Sequence, residues 1–201
     1  MSLNTYNDLK AAVANWTKRA DLSAYLDDLV TLAETRILRE IRTKDLEASF
    51  SAVMSEGTIA VPSDFMGWRN AYIDAPGQPR LDTASPDQIR QKYDRGINNG
   101  MPSMVAQENG NFIFWPSPAD DYTVKGVYYA RPSALSTTAH ALFTNNPDLY
   151  LFATLAETAP FLKDDRRVEL WEAKYIQRRE DVLMQDKKNR FAGRLVWTVN
   201  P

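Results

Sequence analysis

Apolar residues in this chain change their spacing twice, and no other feature restricts the fold so tightly. Up to residue 48 they recur at every third and fourth position; from 49 to 145 they fall in short alternating runs broken by proline and glycine; from 146 to 192 the three-and-four spacing returns. The first pattern belongs to helices with one buried face, the second to strands. The order predicts an α+β fold, with N- and C-terminal helices packed as a helical bundle and an inserted strand-rich middle. One domain over residues 1–201 is expected, with helical parts 3–48 and 146–192, a β-rich insertion 49–145 and a C-terminal docking tail 193–201.

Local signals set the elements. Thr5 with Asp8 three positions on has the form of a capping box, and Tyr6, Leu9, Val13 and Trp16 follow at helical spacing, so a first helix should end near Thr17. Asp21 is placed to cap a second helix reaching about Leu46. Its stripe is Leu22, Leu26, Leu29, Ala33, Ile37 and Ile41, with Glu34, Arg36, Arg39, Glu40 and Arg42 around it. In the middle, residues 50–54 and 58–61 flank Ser55, Glu56 and Gly57 as a hairpin. Residues 68–74 read as a strand turned by Pro76 and Gly77, and Ser85-Pro86 opens a short helix to Tyr93. Residues 103–107 and 111–115 pair across Asn109-Gly110, 122–130 is a further strand, and 131–145 is loop.

The segment 146–179, NPDLYLFATLAETAPFLKDDRRVELWEAKYIQRR, starts a helix with Asn146 as cap, Pro147 in the first position and Asp148 at the positive end of the dipole. Phe152, Leu155, Ala159 and Leu162, then Val168, Trp171, Tyr175 and Val182, predict two helices of one design, with either a kink at Pro160 or one helix ending and the next starting near Asp164. The tail residues Leu195, Val196, Trp197 and Val199 are apolar and β-prone with no partner strand nearby in sequence, which predicts docking on another molecule, the rival reading being that the tail folds back on its own helices. No apolar seam runs uninterrupted as in a permanent coiled coil, so the isolated subunit is expected to associate weakly.

Composition excludes several chemistries. With 201 residues and 44% hydrophobic content the chain can bury a core without staples. Zero cysteines exclude disulfides, thiolate nucleophiles and Cys-based zinc or iron–sulfur sites. No run reaches the roughly 18 apolar residues of a membrane span, and the polar N-terminus MSLNTYNDLK has no signal-peptide core, so a cytoplasmic site of synthesis and no membrane partner are expected. A net charge of -2, balanced along the chain, argues against tight grip on nucleic acid.

Residue type and spacing separate the candidate sites. His140 stands alone in a loop without metal-ligand spacing. The pairs Asp27-Asp28, Asp120-Asp121 and Asp164-Asp165 lack the alternating oxygens of a calcium loop, and Ser117 and Ser136 lack a nucleophile elbow. No catalytic, metal or cofactor site is predicted. Arg36, Arg39 and Arg42 form a candidate partner surface, although Glu34 and Glu40 beside them offer local ion pairs instead. Arg178 interrupts an apolar stripe, which predicts a subunit edge or a neighbour's carboxylate. Trp68, Trp115, Tyr128 and Tyr129 read as sheet core; the rival reading makes the aromatic-rich strands nucleic-acid stacking platforms. A second rival is a cation-dependent hydrolase using scattered acidic residues.

Taken in order, the blocks DLKAAVANWTKRADL, LAETRILREIR, VPSDFMGWRNAYID, DDYTVKGVYYARP and NPDLYLFATLAETAPFLKDDRRVELWEAKY resemble the head-to-tail adaptor proteins of tailed bacteriophages, to which the tubular tail proteins of short-tailed phages are related. The resemblance implies a structural, non-enzymatic virion subunit. It further implies a homo-oligomeric ring, usually of twelve copies, that binds the portal protein and tail or nozzle proteins at the head–tail junction. DNA passes through such a ring without sequence-specific binding, and no cofactor is implied.

Overall fold

Thr5 and Asp8 close the expected capping box: the Asp8 N–H donates to Thr5 Oγ1 at 3.1 Å and the Thr5 N–H to Asp8 Oδ2 at 3.0 Å. This is the first helix start in a computed structural model that describes residues 3–54, 57–93, 99–161 and 166–190. Its described helices are α1 (Tyr6–Thr17), α2 (Leu26–Glu40), α3 (Pro86–Tyr93), α4 (Ala141–Asn145), α5 (Pro147–Glu157) and α6 (Arg167–Arg190). Its described strands are β1 (Glu47–Val53), β2 (Thr58–Ala60), β3 (Phe65–Ile73), β4 (Asp82–Thr83), β5 (Asn99–Gly100), β6 (Met104–Glu108), β7 (Asn111–Trp115), β8 (Ser117–Pro118) and β9 (Thr123–Ala130). The fold is mixed α+β and divides into two compact units, one of Met1–Asp45 with Pro132–Pro201 and one of Leu46–Arg131.

In the first unit α1, α2, α4 and α6 all pack on α5. Leu149, Tyr150, Leu151, Ala153, Thr154, Leu155 and Ala156 are all buried, so α5 is covered on nearly every side. This overturns the expectation of two helices of one design. A helix apolar all round belongs at the centre, whereas α6 buries a single line, Trp171, Tyr175 and Val182. Pro160 does end the regular helix, lying in a 3-10 turn at Ala159–Phe161. Asn146 precedes Pro147 as expected, but its side chain makes no N-cap bond; its Nδ2 donates to the Leu142 carbonyl at 3.2 Å and closes α4, an element hidden in the expected loop.

The predicted stripe of the second helix is buried at all six positions. Its helix is shorter. A 3-10 segment, Ala20–Tyr25, precedes α2, and Asp21 pairs with Arg19 at 2.6 Å rather than capping. At the other end Ile41 turns extended, with φ -112° and ψ 133°, which stops α2 at Glu40.

The second unit holds a three-stranded antiparallel sheet in the order β1-β9-β3, a four-stranded sheet β2-β7-β6-β4 and a short β5-β8 pair. The β6–β7 hairpin turns at Asn109 and Gly110, whose φ values of 48° and 77° suit that Asn-Gly sequence. The expected hairpin of residues 50–54 with 58–61 is not formed. Strand β1 pairs with β9 over seven positions and β2 pairs with β7 over three, in different sheets. A long partner supplies more ladder bonds and cross-strand contacts than a neighbour of three residues, and this outweighs proximity in sequence. Phe50, Met54, Ile59, Ile73, Phe112, Phe114, Val124 and Tyr128 share one core between the larger sheets. Ser85 starts α3 as predicted, its Oγ accepting from the Gln88 N–H at 3.2 Å.

Candidate functional site

Three helices of the first unit meet at Arg36. From α2 its guanidinium reaches Glu172 on α6 in a two-pronged contact, with Nη1 donating to Oε2 at 3.0 Å and Nη2 to Oε1. Nη1 also lies 3.5 Å from Glu157 Oε1 on α5, and Nε lies 3.4 Å from Glu40 Oε1. Beneath it the Tyr175 ring sits 4.3 Å away, a cation–π contact. The Tyr175 hydroxyl donates to Glu40 Oε2 at 2.9 Å, and Arg179 Nη1 donates to the same oxygen at 2.7 Å. The Glu172 hydrogen bond raises the Arg36 pKa further, while burial and the bond to Glu40 push the Tyr175 hydroxyl up. Burial works to raise Glu40, but Arg179 and Tyr175 together hold its carboxyl below the ordinary value.

The other candidate arginines are placed differently. Arg42 folds back, its Nη1 donating to the carbonyls of Leu38 and Ile41, the latter at 2.7 Å; it caps the C-terminus of α2. Arg178 pairs with Asp148 on α5, with Nε 3.0 Å from Oδ2, and with Asp181 at 3.3 Å. The Asp148 contact is an ion pair without hydrogen-bond alignment, since Nε has no bonded partner by angle. Arg39 is exposed and has no partner among the described residues. Leu195, Val196, Trp197 and Val199 lie outside the described residues, as do Asp164 and Asp165.

A buried polar cluster escaped the sequence reading. Glu34 is only 8% exposed. Its carboxylate accepts from the Leu135 N–H at 3.2 Å and meets His140 Nε2 at 3.2 Å, while the Tyr150 hydroxyl lies 3.4 Å from the same nitrogen. Burial first, and then the Glu34 charge, raises the Tyr150 pKa. The geometry is that of a clamp: one carboxylate of α2 holds the main chain at Leu135 and the ring at the start of α4. A signal was available, because Glu34 lies four residues after Val30 and three before Ile37 and so belongs to the buried face, where a carboxylate requires partners.

The described acidic pairs, Asp27-Asp28 and Asp120-Asp121, lie on the surface. Asp27 Oδ1 accepts from Lys10 at 2.8 Å and from the Tyr6 hydroxyl at 2.6 Å, and Asp120 and Asp121 are exposed. Among the described residues no group of three or more His, Cys, Asp or Glu side chains is arranged to hold a metal ion. No described helix is long and apolar enough to cross a membrane. The aromatic residues of the strands face one another: Phe112 lies 5.9 Å from Phe50, 5.0 Å from Phe65 and 4.9 Å from Trp68, centroid to centroid. A cleft of about 330 Å³ in the first unit is lined by Thr43, Asn145, Asn146, Gln185 and Asp186, with the Lys44 N–H donating to Asp186 Oδ1 at 2.9 Å.

Residues 4–198 match the family model described as SU10 adaptor protein. No curated protein matches the chain.

Proposed function

The chain belongs to the SU10 adaptor protein family, a phage head-to-tail adaptor family, and from that premise we propose that it is a structural virion subunit that forms a ring beneath the portal and lengthens the DNA channel toward the tail. The observation that carries the reading is the extent of the match, which runs from residue 4 to residue 198 and so takes in both compact units. Twelve copies, a portal protein above and tail or nozzle proteins below complete the arrangement, and the subunit has no catalytic task. The net charge of -2 suits a wall that lets DNA slide without gripping it. Stacking of nucleic-acid bases on the strands is disfavoured, because Phe50, Phe112 and Tyr128 are 8%, 1% and 7% exposed and already pack on neighbours.

Electron cryo-microscopy of particles assembled with and without the chain tests this. The expected outcome is a ring of density between portal and tail that disappears, together with tail attachment, when the chain is omitted. Heads that join tails normally without it overturn the proposal.

A further inference from the structure

Two helices of the first unit carry outward edges of matching design. On α2, Asp28, Leu32, Thr35 and Arg39 follow one another at intervals of four, three and four residues. On α6, Leu170, Ala173, Gln177, Glu180 and Met184 follow at three, four, three and four. Such spacing keeps one line of side chains facing a neighbouring helix. Both lines are in water: Leu32 is 54% exposed, Leu170 56% and Met184 58%.

Their charges differ in sign. Arg39 is an exposed cation without a partner among the described residues. Glu180 is an exposed anion whose nearest cation, Arg179 Nη2, stands 3.8 Å away and is already committed to Glu40 at 2.7 Å. Pairing α6 with another α6 leaves Arg39 without an anion, and pairing α2 with another α2 can set Arg39 against Asp28 but leaves Glu180 without a committed cation. Only unlike edges neutralise both.

We propose that the α2 edge of one subunit packs against the α6 edge of the next copy, with Leu32 meeting the Leu170–Met184 line and Arg39 meeting Glu180. The contact is heterologous, so its repetition suits the ring of the reading above rather than a closed dimer. Polar positions Thr35 and Gln177 interrupt the seam, which keeps a single contact weak and leaves the closed ring to hold it. The proposal rests on the ring reading above.

The chain contains no cysteine, so introduced thiols are the only ones present. A full-length chain carrying both Leu32→Cys and Met184→Cys, assembled into particles and oxidised, is expected to give a ladder of linked oligomers, while either single variant gives none. Arg39→Glu should lower subunit retention in particles by about tenfold, and adding Glu180→Arg to the same chain should restore it. All four positions are exposed, and an unchanged melting temperature shows that folding is intact. A ring visible in particles but no ladder overturns this interface and leaves the ring reading standing. Met184→Cys alone linking to itself also overturns it, and particles lacking the chain altogether overturn both.

Discussion

Phe112 and Arg36 are each a meeting point within their own unit, and they join their neighbours by opposite means. Phe112 is 1% exposed and touches rings from β1 and β3. Arg36, with its side chain 28% exposed, joins α2 to α5 and α6 by ion pairs at the rim of a core centred on α5. Apolar burial is not screened by salt and is nearly indifferent to pH, whereas a half-exposed charge network responds to both. The strand unit should therefore behave as a fixed block, and the α2–α6 face of the helical unit as the part that solution conditions tune.

The sharpest way to break that contrast is to empty the aromatic core. Phe112→Ala removes a ring that packs on three others, and should cost about 3 to 5 kcal/mol of stability, equally at low and high salt. Hydrogen exchange over β7 and β9 in both buffers measures it. A cost that changes with salt means that the core is not the closed apolar block described.

A backbone contact comes next. Gly126 on β9 lies against β3 so closely that an added Cβ would stand 2.3 Å from the Asn70 carbonyl oxygen. Its neighbour Val127 donates its N–H to the Asn70 side chain at 2.9 Å, at a register shift in β3. Gly126→Ala should cost about 1 to 3 kcal/mol and loosen β3 before β1. Equal protection of β1 and β3 in that variant would show that the sheet gives way as a whole.

Signals confined to a few residues were legible in the sequence. Thr5 with Asp8, Ser85 before α3, the Asn109-Gly110 turn and the bounds of β7 all follow from side chains and backbone preferences within one turn of chain. The hairpin of β1 with β2 failed because the choice of β9 depends on a strand some seventy residues away, which no local spacing records. The stripe drawn on α5 failed for a related reason. Phe152 and Leu155 fit a one-sided helix, but Leu149, Tyr150, Leu151 and Ala153 fill the other sides, and only the surrounding helices give them something to pack against. Arg36 shows the same limit at the candidate site: Glu40 was readable four residues on, while Glu172 and Tyr175 were not. Arg42 looked like part of a surface because its true partners are carbonyls freed by a helix that ends earlier than its apolar stripe.

On the helical side, Arg36→Met should cost about 1 to 2 kcal/mol at low salt and visibly less at high salt, since three carboxylates lose a shared cation at a partly exposed site. Acid should act in the same place. Glu40 has a lowered folded pKa, so its contribution is present above the ordinary value of 4.5 and fades as pH falls through the folded value. Exchange protection of α6 should fall on acidification below that range while β7 holds, and Glu40→Gln should flatten the response. Parallel loss in α6 and β7 would dissolve the distinction between the units.

The smallest effect marks where the network ends. Arg178 is on the same helix as Arg179 and also bridges to α5, but its side chain is 37% exposed and its partners Asp148 and Asp181 are 47% and 56% exposed. Pairs this wet gain little, because water already solvates both ions and the long side chain loses freedom on pairing. Arg178→Ala should therefore change stability by no more than about 0.5 kcal/mol in the isolated subunit. Arg179→Ala removes a donor from Glu40 beside the buried Tyr175 ring and should cost about 1 kcal/mol or more. Denaturant unfolding of the two variants side by side decides between them. If Arg178→Ala costs as much as Arg179→Ala, the charge network extends over the outer surface of α6, and the boundary drawn at Arg179 is in the wrong place.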